Sequence, residues 1–360
     1  MDAINGRPLK FIKDPLYLND VMKIDLRSDT LTKPTPAMLE YMMQAEVGDD
    51  VYKEDPTVNA LETKVAAYFG MDTALYFPTG TMANQAAIKI HTQPGEQLIA
   101  DAYAHVYNYE GGGVSFNSGV SCKLLSGTRG KITAAQVAGA INPPDFYHSP
   151  LTSLVCLENT TNKGGGACYD LEEIKAIREV CNTHELGLHL DGARLWNALV
   201  ATKQSPKEYG QLFDTISVCL SKGLGAPMGS VLVGKQSLMN KAIRVRKVLG
   251  GGMRQLGYMA AAGLYALEHH IERLEEDHER ALALAAGLFQ IDCVAHVEEV
   301  ATNIIIFQID ETPRAISFLE YLKSNEVIIS DMGQGKLRMV THYDYTQAQH
   351  EHLLQLLSSF

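Results

Sequence analysis

The chain has 360 residues, of which 46% are hydrophobic and 20% are charged, so it can bury a large core and we expect two domains. The formal net charge of -11 comes without a basic stripe, which argues against a nucleic-acid partner and favours a small molecule. No apolar run reaches the roughly eighteen residues that a membrane-spanning helix needs, so we expect no membrane partner.

The cysteines and the first residues indicate a cytoplasmic protein. Six cysteines are scattered without a C-x-x-C pair, and several lie in apolar runs where a free thiol packs as a small hydrophobe. Residues 1–22 alternate polar residues with single apolar ones, which matches neither a secretory signal nor a transit peptide. We therefore expect a reducing environment.

Short β-branched runs alternate with amphipathic stretches along the first two thirds of the chain, which predicts an α/β domain with a mainly parallel sheet. Helices are expected between the strands, for example over 57–69 and over 171–182, where Asp170 can serve as the N-cap. The predicted strands are 74–77, 97–100, 153–157, 187–190, 215–220 and 230–233.

The pattern changes near residue 250, which predicts a large domain over 23–250 and a second part over 251–360. The run 255–288 contains few glycines and is expected to form one long helix, or two abutting helices, that bridges the domains. A small α+β domain follows from the strands 303–309 and 336–340 and the helices 315–325 and 347–358.

The segment 214–230 is a buried-looking strand that places Lys222 at the start of a glycine-rich turn. An apolar environment disfavours the charged ammonium and is expected to depress the pKa of this lysine, and a neutral amine is what attacks an aldehyde. Gly223 and Gly225 leave room for a flat ring close to the backbone. The alternative is a solvated lysine at a strand end.

Asp191 and Arg194 follow another apolar strand, at the sheet edge where α/β proteins bind ligands. A carboxylate there can keep a pyridine nitrogen protonated, which pyridoxal chemistry requires. Asp191 could instead cap the helix that follows, and the two roles are compatible. Arg194 is close enough in sequence to share the same pocket.

A third element, residues 77–84, consists of a strand, a tight turn and a helix start. Free backbone N–H groups at a helix N-terminus bind phosphate, and the hydroxyl of Thr81 adds a donor. Most such turns are only helix caps. The order of phosphate turn, aspartate and lysine nevertheless predicts a pyridoxal-phosphate site with Lys222 as its Schiff-base lysine.

From about residue 23 to the C-terminus, the chain resembles the low-specificity L-threonine aldolases, pyridoxal-phosphate enzymes of fold type I. The resemblance implies the aspartate aminotransferase-like fold, with a mixed, mainly parallel sheet in the large domain. The blocks that carry it are Ile-Asp-Leu-Arg-Ser-Asp-Thr-Leu-Thr at 24–32, Val-Gly-Asp-Asp-Val-Tyr at 47–52, Leu-Asp-Gly-Ala-Arg at 190–194, Leu-Ser-Lys-Gly-Leu-Gly at 220–225, Gly-Gly-Gly-Met-Arg-Gln at 250–255 and Val-Thr-His at 340–342.

The resemblance assigns cofactor contacts to five residues. It implies that Lys222 forms the internal aldimine and that Asp191 binds the ring nitrogen. Gly80 and Thr81 are expected to hold the phosphate, and His105 is expected to stack over the cofactor ring. It implies no metal.

The resemblance also implies substrate contacts. Ser28, Arg194 and Arg338 are expected to bind the substrate carboxylate, because the planar fork of arginine makes two parallel charge-assisted bonds to it. His148 matches a second histidine near the substrate hydroxyl, with an ordinary surface or core role as the alternative. No role is assigned to the loop 161–168.

The glycine run between Lys247 and Arg254 could let the backbone approach a neighbour closely, or could be an ordinary surface loop. The resemblance implies that both cations point toward the cofactor phosphate of the partner subunit. The resemblance thus implies a homotetramer, a dimer of dimers with its active sites at the dimer interface. Residues 1–22 precede the usual start of the family and are expected to form a disordered arm or an additional subunit contact.

The implied reaction is the retro-aldol cleavage of L-threonine and L-allo-threonine to glycine and acetaldehyde, in which the substrate amine displaces Lys222. Either a histidine or a bound water takes the hydroxyl proton. The alternatives are a phenylserine-type aldolase and a β-eliminating lyase, and an aminotransferase matches the blocks less well. The presence of Lys222, Asp191, Arg194 and Arg338 argues against a binding protein without catalysis.

Overall fold

The computed structural model describes residues 22–360, so the expectations for 1–21 lie outside the described residues. The strands are β1 (Ile24–Asp25), β2 (Thr73–Phe77), β3 (Gln97–Asp101), β4 (Ser121–Leu125), β5 (Thr152–Glu158), β6 (Gly187–Gly192), β7 (Thr215–Cys219), β8 (Ser230–Gly234), β9 (Val294–Val297), β10 (Ile304–Ile309), β11 (Val327–Ile328), β12 (Ser330–Gly333) and β13 (Lys336–Val340). The helices are α1 (Pro36–Met43), α2 (Pro56–Phe69), α3 (Gly80–His91), α4 (His105–Asn108), α5 (Gly113–Ser118), α6 (Ala134–Ala140), α7 (Leu171–Thr183), α8 (Leu195–Thr202), α9 (Pro206–Leu212), α10 (Gln236–Val248), α11 (Gly257–His269), α12 (Leu274–Phe289), α13 (Pro313–Ser324) and α14 (Gln347–Ser359).

The large domain is built on a seven-stranded sheet with the order β2-β8-β7-β6-β5-β3-β4. Strand β8 runs antiparallel to both of its neighbours, and the remaining pairs are parallel. The predicted mixed, mainly parallel sheet is therefore confirmed. Strands β3, β7 and β8 are buried along their whole length, because helices cover both faces of such a sheet.

Some helices of this domain begin or end at capping residues that the sequence provides. The side chain of Asp170 accepts a hydrogen bond from the backbone N–H of Glu172, which confirms the predicted N-cap of α7. Gly70 ends α2 with a φ of 63°, a left-handed conformation that glycine adopts without a steric cost. The large core includes Phe69, which packs against Trp196.

The C-terminal part contains an antiparallel sheet with the order β12-β13-β10-β9, packed with α12, α13 and α14 into a second core. The predicted α+β arrangement is confirmed. The predicted helical run 255–288 forms two helices, α11 and α12, which is the second of the two alternatives. Strand β1 pairs in parallel with β11, and Ile24 and Leu26 belong to the second core.

The start of the described chain therefore packs in the second core, and the domain bounds 23–250 and 251–360 stay a prediction. Within residues 22–360, no helix combines the length and the apolar composition needed to cross a bilayer.

Candidate active site

A cavity of about 480 Å³ lies between the two cores, beside the carboxyl ends of β5 and β6. It is lined by polar side chains from segments far apart in the sequence. Five of the predicted site residues come together in its wall, namely Ser28, His105, Arg194, Lys222 and Arg338.

Lys222 begins a short 3-10 turn directly after β7 and has a φ of 72°. A residue other than glycine is uncommon in this left-handed region, and such residues cluster at functional sites. The Nζ atom lies 3.0 Å from Sγ of Cys219. Burial lowers the pKa of Lys222, but the sulfur of Cys219 and the carboxylate of Asp29 raise it above its ordinary value. The depressed pKa expected from burial alone is therefore wrong.

Arg194 is held by a buried ion pair with Asp29, with Nε and Nη2 at 2.8 and 2.7 Å from its two carboxylate oxygens. Asn303 donates a further hydrogen bond to Asp29. Burial alone would raise the pKa of Asp29, but Arg194 lowers it to about 2. The ion pair uses Nε and Nη2, so it fixes the plane of the guanidinium and leaves Nη1 outside the pair. Asp29 lies in the block 24–32, but no role was predicted for it.

Arg338 extends from β13 into the opposite wall of the cavity. Its Nη1 donates to Oδ1 of Asn162 at 2.8 Å, and its Nη2 donates to the backbone oxygen of Arg27 at 3.0 Å. Burial and the nearby charge of Arg194 lower the pKa of Arg338. Asn162 and Lys163 also line the cavity, so the loop that received no predicted role contributes to the site.

Asp191 lies at the end of β6 and is 2% exposed. One carboxylate oxygen accepts a hydrogen bond from the N–H of Ala193 at 3.1 Å, and the other accepts one from Nδ2 of Asn84 at 2.9 Å. Helix α8 begins after Arg194 and has no side-chain cap. The alternative role of Asp191 as a helix cap is thus limited to the contact with Ala193.

Two titratable side chains, those of His105 and Glu158, lie in the wall of the cavity. Nδ1 of His105 lies 3.0 Å from Oε1 of Glu110. Burial lowers the pKa of His105, but this hydrogen bond and the charges of Asp191 and Glu158 raise it overall. Burial and the charge of Asp191 raise the pKa of Glu158 to about 7, even though Glu158 accepts backbone hydrogen bonds from His105 and Asn162.

The predicted phosphate turn precedes α3. Thr79 caps this helix by accepting a hydrogen bond from the N–H of Met82 at 3.1 Å, and Gly80 and Thr81 are its first two residues. A Cβ atom at Gly80 would lie 2.9 Å from Sγ of Cys219, so a larger residue does not fit there without a shift. The N–H groups of this first turn are the donors that a phosphate requires.

Three predicted residues lie away from this cavity in the same chain. His148 is exposed in the loop before β5, where its ring packs on Tyr147. Lys247 is exposed near the end of α10. Arg254 pairs with Asp49 at 2.8 Å and lies over the ring of Tyr52. The predicted role of His148 near the substrate hydroxyl, and those of Lys247 and Arg254 at a subunit interface, stay predictions.

Comparison with known proteins adds a family and a fold. A model of the beta-eliminating lyase family matches residues 25–312. The chain is 40% identical to a probable low-specificity L-threonine aldolase 2 of Arabidopsis thaliana, over 93% of this chain and 96% of the relative. It is 42% identical to the low specificity L-threonine aldolase of Escherichia coli K12, over 91% and 96%. A solved threonine aldolase of Leishmania major has the same fold, with a TM-score of 0.81, 21% identity and coverage of 93% and 99%.

Proposed function

Because the chain belongs to the low-specificity L-threonine aldolases of the beta-eliminating lyase family, we propose that it cleaves L-threonine and L-allo-threonine to glycine and acetaldehyde. It would be a carbon-carbon lyase that depends on pyridoxal phosphate. The observation that carries this proposal is that Lys222, Arg194 and Arg338 line the same cavity.

The residues around this cavity suit pyridoxal phosphate. Lys222 would attach the cofactor, Asp191 would face its ring nitrogen and His105 would stack on its ring. The first turn of α3, with Gly80 and Thr81, would hold the phosphate through its free backbone N–H groups. When bound, the cofactor supplies an electron sink for the bond that breaks at Cα.

The remaining residues of the cavity would orient the substrate. Arg338 and Arg194 suit a carboxylate, because a guanidinium donates two parallel charge-assisted hydrogen bonds. Ser28 adds a hydroxyl at the same wall. A carboxylate held at this wall fixes the rotation about the Cα–N bond and so selects which bond at Cα is aligned for cleavage.

Proton transfer needs a group that can exchange a proton near neutral pH. Glu158 lines the cavity, and its raised pKa of about 7 gives it this property. His105 accompanies it in the same wall. The resemblance implies a place for His148 near the substrate hydroxyl, and its exposed loop would reach a site only through a contact with another subunit.

The test is a panel of L-threonine, L-allo-threonine, L-serine, L-phenylserine and the D-isomers of threonine, with product identification. We expect glycine and acetaldehyde from both L-epimers and no turnover of the D-isomers. Ammonia and a keto acid would instead indicate a β-eliminating lyase. A clear preference for L-phenylserine would make the chain a phenylserine-type aldolase.

We further propose a cytoplasmic homotetramer whose active sites lie at dimer interfaces. The six cysteines are all free thiols, which suits a reducing compartment. Large apolar side chains remain exposed on the single chain, for example Met43, Tyr52 and Val248. Exposed apolar side chains of this size favour association between chains. Light scattering of the purified protein would determine the number of subunits.

A further inference from the structure

A continuous set of buried hydrogen bonds lies behind Asp191, on the side away from the cavity. Asn84, 2% exposed, is at its centre. Nδ2 of Asn84 donates to Oδ2 of Asp191 and to Oε1 of Glu110, both at 2.9 Å. Glu110 in turn contacts Nδ1 of His105. One amide group therefore holds the carboxylate of Asp191, a predicted cofactor contact, and that of Glu110, which contacts a second predicted cofactor contact, His105.

The other end of the Asn84 amide is also fully used. Its Oδ1 lies 3.1 Å from Nε2 of His189 and accepts a hydrogen bond from the hydroxyl of Ser217 at 2.6 Å. Nδ1 of His189 lies 2.9 Å from Oγ1 of Thr215. All of these side chains are buried, so each unmatched donor or acceptor would carry a desolvation cost.

The two carboxylates decide the orientation of the amide. If Asn84 were rotated by half a turn, its Oδ1 would face the carboxylate oxygens of Asp191 and Glu110, with acceptors opposite acceptors. The observed orientation requires a proton on Nε2 of His189, because Oδ1 of Asn84 can only accept. Burial lowers the pKa of His189 to about 3, so the ring is neutral and Nδ1 carries no proton.

With this tautomer, Nδ1 accepts from the hydroxyl of Thr215, and every hydrogen bond from Thr215 through His189 and Asn84 points toward Asp191. A close contact between Nδ1 and the backbone oxygen of Thr215, at 3.2 Å, would favour the opposite tautomer. The carboxylates of Asp191 and Glu110 outweigh this one neutral contact, because charged acceptors form the stronger hydrogen bonds.

We propose that Asn84 and His189 form a positioning unit that holds the Asp191 carboxylate and, through Glu110, the His105 ring where the cofactor requires them. This inference rests on the proposed function. Neither residue lines the cavity, and both would act through Asp191 and, by way of Glu110, through His105. Such outer partners orient the groups that contact a ligand, and buried networks of this kind act as one unit.

The first test reads the protonation of His189 directly. Long-range proton–nitrogen NMR spectra of protein labelled with nitrogen-15 in its histidines are recorded at pH 7, with the His189→Gln variant used for assignment. We expect a neutral ring protonated at Nε2. A ring protonated at Nδ1, or at both nitrogens, would overturn the proposed direction of the hydrogen bonds. This result does not depend on whether the protein cleaves threonine.

The second test compares His189→Phe, which removes the N–H, with His189→Gln, whose amide N–H can replace Nε2. We expect His189→Phe to lower kcat for L-threonine about tenfold or more with little change in KM, the size of effect typical of lost outer hydrogen bonds. Its dissociation constant for pyridoxal phosphate, measured by titration of the cofactor-free protein, should rise. His189→Gln should retain most of both properties.

The matched control is His350→Phe. His350 is also buried, and its Nδ1 lies 3.1 Å from the hydroxyl of Tyr345, but it belongs to α14 in the second core. We expect lower thermal stability with unchanged kcat and cofactor affinity. Equal effects of His189→Phe and His350→Phe on kcat and cofactor affinity would reduce His189 to a general core residue and refute the proposal.

The third test asks whether Asn84 and His189 act together. If they form one unit, the double variant Asn84→Leu with His189→Phe should lose no more kcat or cofactor affinity than Asn84→Leu alone. Additive losses would separate the two residues. If the wild-type protein binds pyridoxal phosphate without cleaving threonine, the proposed function fails, and the NMR and cofactor titrations still decide the positioning role.

Discussion

Lys222 illustrates how a single side chain depends on its immediate neighbours. The strand β7 delivers it to the cavity, and its left-handed backbone conformation turns the chain there. Cys219 contacts its amine from one side, and Asp29 adds a negative charge nearby. These neighbours outweigh the burial that by itself would lower the pKa of the amine.

Replacing Lys222 by alanine should abolish turnover, because the proposed cofactor attachment is lost. The purified wild-type protein should be yellow, and its visible absorption band should disappear or shift in Lys222→Ala. Circular dichroism would verify that the variant is folded. Full activity of a folded Lys222→Ala protein would contradict the assignment of this lysine.

Asp191→Asn should leave the fold intact and lower turnover by roughly two to three orders of magnitude, because an amide cannot stabilise a protonated ring nitrogen by its charge. Asparagine keeps the size of the side chain, so the contact with Ala193 can be retained. Steady-state kinetics with L-threonine would measure the loss. A change of less than a few-fold would mean that the ring nitrogen has another partner.

His278 links pH to stability outside the site. Burial lowers the pKa of His278 in the folded protein to about 4, whereas in the unfolded chain it is near 6.5. The contribution of His278 to stability is therefore fully present above pH 6.5 and is lost as the pH falls toward 4. In His278→Gln, the glutamine amide can still donate to Asn197. As the pH falls from 6.5 toward 4, the unfolding free energy of this variant should fall less steeply than that of the wild type. The two slopes should differ by about 1.4 kcal/mol per pH unit.

Urea unfolding of wild type and His278→Gln between pH 4.5 and 6 would measure this slope. Identical slopes would show that His278 is protonated in the folded protein at these pH values, contrary to its burial.

At the scale of single elements, helix caps allow a matched comparison. Asp170 caps α7 through its side chain, whereas Ser205 occupies the same position before α9 without a side-chain hydrogen bond. We expect Asp170→Ala to lower the unfolding free energy by about 1 kcal/mol and Asp170→Asn to retain most of it. Thermal unfolding would show the difference. An equally large effect of Ser205→Ala would mean that the loss at Asp170 has another cause.

Local pattern was sufficient to predict most elements of the large sheet. All six predicted strands form, each with bounds within two residues of the prediction, because their apolar runs are buried on both faces. The sequence analysis missed β4, the edge strand. Its residues, Ser121–Leu125, are only partly buried, so polar and apolar residues mix there and the pattern is weak.

The residues of the site were likewise predictable only in part from local sequence. Lys222 and Asp191 were predictable because each follows a clear strand and precedes a glycine. Asp29 and Asn84 were missed because their meaning depends on partners 165 and 107 residues away in the sequence. Both residues lie in segments that were singled out, 24–32 and 77–84, but nothing in those segments indicates the distant partner that each side chain contacts in the folded chain.

At the scale of the whole molecule, Arg254 of one subunit would contact the cofactor phosphate in the active site of its partner in the proposed assembly. It pairs with Asp49 on the exposed surface, away from the cavity that Lys222 lines. Mixing inactive Lys222→Ala and Arg254→Ala proteins under subunit exchange should restore activity to roughly a quarter of wild type. Half of the dimers would be mixed, and each would have one intact site.

This experiment requires that Arg254→Ala alone is nearly inactive and still dimeric, which light scattering and a turnover assay would establish first. No recovery after verified exchange would place Arg254 in its own chain's site.

The parallel pairing of β1 with β11 also has a consequence for biosynthesis. Nη2 of Arg338 donates to the backbone oxygen of Arg27, which is made 311 residues earlier, and Ser28 follows directly. Domains fold as they leave the ribosome, N-terminal parts first. A nascent chain that ends before β11 already contains Lys222, Ser28 and Arg194, but it lacks Arg338 and the strands that carry it. In the proposed function, the substrate site would therefore be complete only after the last segment has been translated.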